Sequence, residues 1–117
     1  MKKVECIIQR HKVSDLLQRL GSSKAFHGVT EMAVRGCGRQ MGRLPDEPTK
    51  DNSKVYLRAC SKLEFAVPDD QVKELVKIIV QVNRTGQRGA GDGKIFISPM
   101  EDAIRISTGE RGEKGLV

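Results

Sequence analysis

Apolar residues along this chain follow strand spacing in some segments and helical spacing in others. Residues 3–9 are β-branched and apolar enough for a short buried strand. A helix is predicted next, with Ser14 as its N-terminal cap, three leucines on one face and Gly21 at its end. Residues 29–35 have the pattern of a second strand.

The second half of the chain repeats this order with stronger signals. Residues 61–67 alternate strictly between polar and apolar, which predicts a strand with one buried face. Pro68, two acids and apolar positions at helical spacing predict a helix up to residue 82. Further strands are predicted at 94–97 and 104–107, and the charged, glycine-rich tail 109–117 is predicted to be flexible.

Strand-helix-strand units that occur twice in a small domain, here residues 1–117, predict the α+β ferredoxin-like double βαβ fold. Its helices cover one face of a four-stranded sheet and leave the other face open. The strand at 61–67 should direct Leu63, Phe65 and Val67 toward the helices, and Lys62, Glu64 and Ala66 toward the open face. Only four residues are aromatic, so another copy of the chain is a better cover for that face than nucleic acid.

The connection between the second and third predicted strands has a different composition. Residues 36–54 contain three glycines, two prolines and many charges, without any hydrophobic period. They predict a long exposed loop, and ordered domains keep loops of this length mainly for function.

Composition narrows the possible partners without naming one. Lys and Arg number 21 against 15 acidic residues, a net charge of +6, which attracts nucleic acid, acidic protein, anionic lipid or phosphorylated ligands. The three cysteines form no CxxC pair, so we expect reduced thiols in a cytoplasmic protein and no metal site. No apolar run is long enough for membrane insertion.

Three segments carry candidate anion-binding chemistry. The first, residues 36–42, combines glycines with Arg39, and the second, residues 85–94, holds four glycines with Arg88 and Lys94. In each case an ordinary flexible turn is the alternative. The third candidate is Arg105, on one face of a predicted strand. His11 and His27 have no nucleophile or acid at a useful spacing, so no catalytic set emerges and no enzyme is predicted.

Taken in order, these segments resemble the PII signal-transduction family. The matching motifs are Val-x-Gly-x-Gly-Arg-Gln-x-Gly at 34–42, Val-Pro-Asp-Asp at 67–70, Thr-Gly and Gly-Asp-Gly-Lys-Ile-Phe within 85–96, and Arg-Ile-x-Thr-Gly-Glu at 105–110. The opening Met-Lys-Lys-Val-Glu-Cys-Ile-Ile is similar too. Each motif alone is weak, but the ordered set is specific and covers nearly the whole chain.

The resemblance implies a homotrimer that binds the adenine nucleotides ADP, AMP or ATP in clefts between subunits. A long loop, residues 37–58, would signal to a target protein. The implied nucleotide-binding residues are Gly36, Gly38, Arg39 and Gln40 at the loop base, Arg88, Gly89, Gly91, Asp92, Gly93, Lys94 and Arg105 around the phosphates, and Thr30, Glu64 and Ala66 at the adenine and ribose.

The chain departs from the family pattern at four places. The loop tip lacks the tyrosines that nitrogen regulators modify, and Cys60 replaces the lysine that pairs with 2-oxoglutarate. The phosphate loop is two residues longer, and Ser107 replaces an arginine. Because one cation is lost, we expect ADP or AMP to bind at least as tightly as ATP.

A pocket without the oxoglutarate lysine suits a smaller anion such as bicarbonate, with Arg39, Gln40 and Lys94 as candidate ligands. This favours the carboxysome-associated branch of the family. The target, contacted through residues 43–56, would be an enzyme, a transporter or a carboxysome-related protein.

Two other functions stay open at this point. One is a nitrogen-regulating PII protein that responds to ATP, ADP and 2-oxoglutarate. The other is a basic RNA-binding ferredoxin-like module, although its sheet would need aromatics and the strand at 94–97 offers only Phe96. A phosphotransfer enzyme is disfavoured because no base or nucleophile is identifiable.

Overall fold

A four-stranded antiparallel sheet with the strand order β2-β3-β1-β4 organises the computed structural model, which describes residues 1–39, 54–86 and 91–117. Two helices pack against one face of this sheet and a third, one-turn helix lies near the C-terminus. The elements are β1 (Lys2–Ile8), α1 (Val13–Leu20), β2 (Thr30–Gly36), β3 (Arg58–Val67), α2 (Val72–Asn83), β4 (Lys94–Pro99) and α3 (Glu113–Leu116).

The strand order makes two interleaved βαβ units. β1 and β2 flank β3, while β3 and β4 flank β1, so each helix crosses over a strand of the other unit. Every neighbouring pair is antiparallel, because the two strands of each unit are parallel and separated by one strand. This is the predicted α+β ferredoxin-like double βαβ fold, with its long connection between β2 and β3.

The alternation predicted for β3 is confirmed by burial. Leu63 and Val67 are fully buried and Phe65 nearly so, and they share the core with the helix residues Leu75 and Ile79. Lys62, Glu64 and Ala66 are half-buried on the opposite face. Burying each large apolar side chain contributes about 1.5–3 kcal/mol, which fixes the face that β3 turns to the helices.

Both main helices begin differently from the sequence expectation. A single 3-10 turn, Arg10–Lys12, leads into α1, and Asp69–Gln71 does the same for α2. Ser14 was expected as the cap of α1, but it lies one residue inside the helix, and the capping position is Lys12 without a side-chain bond. The 3-10 turn occupies the position where a capping serine would act.

The C-terminal region also differs from the expectation. The predicted strand at 104–107 is reduced to one bridge between Ile104 and Arg111, because the chain turns back on itself between them. The Arg105 carbonyl oxygen accepts hydrogen bonds from the amides of Thr108 (3.3 Å) and Gly109 (2.7 Å), which closes that turn.

The tail at 109–117, expected to be flexible, contains the helix α3. Asp102 anchors this segment, since its side chain accepts hydrogen bonds from the Arg111 guanidinium and the Gly112 amide, both at 2.9 Å. Those contacts and the Gly115 amide bond to the Gly112 carbonyl oxygen (3.0 Å) give the tail a defined conformation.

Candidate functional site

One end of the sheet gathers the glycine-rich segments that were singled out in the sequence. β2 ends there at Gly36, opposite Arg58 at the start of β3, and β1 ends there beside Lys94 at the start of β4. The base of the long loop and the glycine-rich turn before β4 therefore project from the same end of the molecule.

The turn before β4 has a defined geometry that depends on glycine. Gly91 and Gly93 adopt positive φ angles of 81° and 112°. A Cβ atom at Gly93 would overlap the carbonyl oxygen of Ile7, so the backbones of the two strands approach more closely than any side chain permits.

Side-chain bonds hold this turn from two directions. Asp92 accepts hydrogen bonds from the Thr85 hydroxyl (2.7 Å) and the Thr85 amide (3.1 Å), which ties the turn to the end of α2. Gln9 donates to the Gly91 carbonyl oxygen at 2.8 Å, and His11 bonds Gln9 in turn. Asp92 thus has a structural part in shaping the turn, in addition to the part expected from its motif.

Lys94 follows the turn directly and provides its cation. Its side chain is exposed, and its register opposite Ile7 places it on the open face of the sheet. A glycine turn next to an exposed ammonium offers backbone amides and a positive charge to an anion. Gly91, Asp92, Gly93 and Lys94 are consecutive in the chain and form one turn with an exposed cation, and their role as nucleotide ligands stays a prediction.

The loop base lies at the opposite lateral edge of the sheet. Gly36 ends the edge strand β2, and Gly38 and Arg39 continue it as exposed residues. Two strands separate this segment from Lys94, which is about 14 Å at the usual strand spacing. Three other predicted ligands, Gln40, Arg88 and Gly89, lie outside the described residues.

The residues expected at the adenine and ribose lie on the open face. Thr30 is directly opposite Glu64 in the β2–β3 register, and Ala66 follows two residues further along β3. Cys60 lies on the same face, opposite Val34, and is half-buried.

Glu64 is part of a charged cluster that sequence reasoning missed. Lys3, Glu5, Lys62 and Glu64 alternate in sign on the open face across β1 and β3. The ammonium–carboxylate distances are 3.1 Å for Lys3–Glu5, 3.4 Å for Lys3–Glu64, 3.6 Å for Lys62–Glu5 and 3.7 Å for Lys62–Glu64. The hydrogen bond between Lys3 and Glu5 raises the pKa of Lys3 and lowers the pKa of Glu5.

The two lysines and two glutamates of this charged cluster have no net charge together. The net positive charge of the chain therefore comes from residues outside the cluster. Its signal in the sequence was the polar alternation Lys3-x-Glu5 and Lys62-x-Glu64, but the register that joins the two pairs is visible only in the fold. Phe96 occupies the same face next to Glu5 and is 50% exposed, at the edge of the sheet and not at its centre.

Arg105 lies apart from the turn before β4. Its guanidinium donates through Nη2 to the backbone oxygen of Val117 at 2.7 Å, within the C-terminal segment. Within this chain the expected phosphate ligands therefore fall into separate groups.

A cavity of about 250 Å³ lies on the helix side of the same turn. Its walls include Ile8, Ile79 and Ile95, and its polar lining includes Asn83, whose amide nitrogen donates to the Ile79 carbonyl oxygen at 2.8 Å. Within the described ranges no group of three or more His, Cys, Asp or Glu could hold a metal ion, and no helix could cross a membrane.

Comparison with known proteins decides what kind of protein carries this site. The family model described as nitrogen regulatory protein P-II matches residues 1–110. The chain belongs to the P-II family.

Individual relatives agree with that assignment. The chain is 40% identical over 116 residues to the nitrogen regulatory protein P-II of Nostoc punctiforme, and the match covers 99% of this chain and 100% of the relative. Its identity to the P-II homolog of Arabidopsis thaliana is also 40%, over 96% of this chain but only 56% of the longer plant protein.

A solved structure confirms the fold at the level of the backbone. The crystal structure of Arabidopsis thaliana PII bound to citrate superimposes with a TM-score of 0.76 at 34% identity, and the match covers 98% of this chain and 88% of that one. These matches confirm the resemblance seen in the sequence motifs. P-II proteins are regulatory proteins, and this protein is therefore a P-II regulator.

Proposed function

We propose that this P-II protein is a non-enzymatic, cytoplasmic regulatory homotrimer that binds ADP, AMP or ATP in clefts between its subunits. The long loop, residues 37–58, transmits the bound state to a target protein. The observation that carries the proposal is the turn of residues 91–93 beside Lys94, whose backbone, with its amide donors, is held in one conformation by the Thr85–Asp92 hydrogen bonds. Such preorganised donors are what a phosphate group requires.

The separation of the implied ligands supports a site between subunits. The loop base lies at the β2 edge, the glycine turn at the β4 edge, and Arg105 is engaged in its own C-terminal segment. A cleft between copies brings one subunit's glycine turn against another subunit's C-terminal segment. Closed assemblies of this kind also cover the open sheet face, where Met32 and Phe96 are exposed.

The lost cation sets the expected nucleotide preference. Ser107 stands in the turn after Arg105, and Arg111 is paired with Asp102, so Arg105 is the guanidinium that this segment offers to the phosphates. The terminal phosphate of ATP carries charge that most needs a second forked donor. ADP or AMP therefore binds at least as tightly as ATP, and a strong preference for ATP would contradict this part of the proposal.

A second, smaller anion is proposed in the same clefts between subunits. Arg39 and Lys94 supply charge, Gln40 supplies an amide, and Cys60 provides no ammonium for a dicarboxylate. Bicarbonate fits this set better than 2-oxoglutarate does. The solved plant relative is bound to citrate, a larger carboxylate anion, which supports organic-anion binding by that relative only.

The same loop that would respond to these ligands also carries the proposed contact with the target. Residues 43–56 differ from the tyrosine-containing tip of nitrogen regulators, so the target is an enzyme, a transporter or a carboxysome-related protein recognised through this different sequence.

The experiment that tests nucleotide binding compares two lysines by titration calorimetry with ADP. Lys94→Ala removes the cation beside the glycine turn, and we expect ADP affinity to fall about tenfold or more, as for a charged hydrogen bond. Lys24→Ala removes the same charge from an exposed turn at the other end of the sheet and should leave the affinity unchanged.

Equal losses in the two variants would mean that only long-range charge matters, which contradicts a site at Lys94. Stabilisation by an RNA oligonucleotide and not by ADP would instead favour the RNA-binding alternative, because a ligand of the folded state raises its melting temperature.

A further inference from the structure

Val117, the residue that follows the C-terminal helix α3, bonds the guanidinium group that the proposed function assigns to phosphate. Arg105 Nη2 donates to the backbone oxygen of Val117 at 2.7 Å, a short hydrogen bond for a nitrogen donor. This bond links the turn that carries Arg105 to Val117, directly after α3.

Close packing holds α3 in the position that makes this bond. A Cβ atom at Gly115 would lie 2.6 Å from both the Ala103 and the Glu110 carbonyl oxygens, so only glycine lets the helix approach this backbone. The Gly112 amide also donates to the Ala103 carbonyl oxygen at 3.0 Å, directly before α3 begins.

Asp102 makes further hydrogen bonds to the residues that precede α3. Its two carboxylate oxygens accept from the Ala103 and Gly112 amides and from the Arg111 guanidinium, each at 2.9 Å. The residues directly before α3 are therefore held by Asp102 and by the Ala103 carbonyl oxygen, which share the Gly112 amide hydrogen.

The bond to Val117 limits how Arg105 can hold a phosphate. A guanidinium grips an oxyanion in two forked ways, through Nε and Nη2 or through Nη1 and Nη2. Nη2 belongs to both forks, so donating one of its hydrogens to Val117 removes one of the two. The bond also fixes the plane of the group toward α3.

We propose that α3 is an autoinhibitory strap that competes with nucleotide phosphate for Arg105. The inference rests on the proposed function, because it concerns regulation of the same site. A phosphate that takes the Nη2 hydrogen donated to Val117 breaks the Arg105–Val117 bond, and by linkage an intact strap lowers nucleotide affinity. A partner that holds α3 away from Arg105 would raise the affinity by the same factor.

Two variants release the strap in different ways. Removal of residues 113–117 deletes α3 together with one acidic and one basic side chain, so the net side-chain charge is unchanged. Gly115→Ala keeps every residue but forces α3 away from Ala103 and Glu110. In both variants we expect ADP, measured by calorimetry, to bind about three- to tenfold more tightly, the value of one competing hydrogen bond.

Val117→Ala is the matched control, since it keeps the backbone oxygen that Arg105 contacts and removes only an exposed side chain. Its ADP affinity should equal that of the wild type. Arg105→Ala combined with the deletion should show no gain over Arg105→Ala alone, because the competing group is already absent.

Unchanged or weaker ADP binding in both strap variants, with wild-type binding intact, would overturn the strap. A folded wild-type protein that binds no adenine nucleotide would instead overturn the proposed function, so the two failures are distinguishable. If the deleted chain does not fold, Gly115→Ala decides the question alone.

Discussion

At the scale of single residues, Gly93 is the position on which the turn before β4 depends most. Its φ of 112° and its approach to the Ile7 carbonyl oxygen both exclude a side chain. The sequence shows four glycines between residues 85 and 94 and gives them equal weight. The contact with Ile7 joins residues that are distant in the chain, so only the fold identifies which glycine is essential.

Gly93→Ala should reduce the free energy of unfolding more than Gly28→Ala does. Both glycines have nearly the same φ, 112° and 110°, so both alanines carry backbone strain of about 1–3 kcal/mol. Gly28 has nothing within 4 Å of an added Cβ, whereas Gly93 meets Ile7. Urea denaturation of the two variants measures the difference, and equal losses would contradict the tight approach of β1 and β4.

At the scale of elements, the sequence predicted the strands and helices wherever hydrophobic spacing was regular. β3 and α2 follow such spacing, and their buried faces lie as expected. The C-terminal segment has no such spacing, since Ile104 and Ile106 are exposed and its order comes from side-chain bonds to backbone. Those bonds depend on Asp102. A pattern of apolar residues cannot indicate which groups a carboxylate will bind.

The C-terminal segment should lose order in acid. Hydrogen bonds from the Gly112 amide, the Arg111 guanidinium and the Ala103 amide lower the pKa of Asp102 from its ordinary value of 3.8. A lowered native pKa means that the carboxylate stabilises the fold fully above pH 3.8 and loses this effect as the pH falls through the lower native value.

The NMR signal of the Gly112 amide, followed during an acid titration, reports this change. We expect its midpoint below pH 3.8, and we expect Asp102→Asn to remove the transition. A midpoint at or above that value would show that the anchoring bonds do not form in solution.

At the scale of the whole molecule, the fold and family could be predicted from the sequence. The sequence could not show whether one chain brings all the expected site residues together. Ordered motifs identified the family, and the strand order followed from two strand-helix-strand units. One chain nevertheless leaves Lys94 and Arg105 in separate groups. The spacing of motifs along the sequence cannot show this separation, because it does not give distances between residues in the folded sheet.

A site shared between subunits predicts complementation in mixed trimers. Lys94→Ala and Arg105→Ala each remove a proposed ligand from every cleft of a homotrimer, so each variant alone should bind ADP weakly. Chains of the two variants that are unfolded together and refolded at equal amounts form trimers in which about one cleft in four pairs an intact Lys94 with an intact Arg105.

The most direct test of the central claim is therefore calorimetry of ADP binding to this mixed preparation. The predicted result is recovery of wild-type affinity at about a quarter of the sites, while each variant alone recovers none. Mixed trimers that bind ADP no better than the separate variants would contradict a nucleotide site built from two subunits.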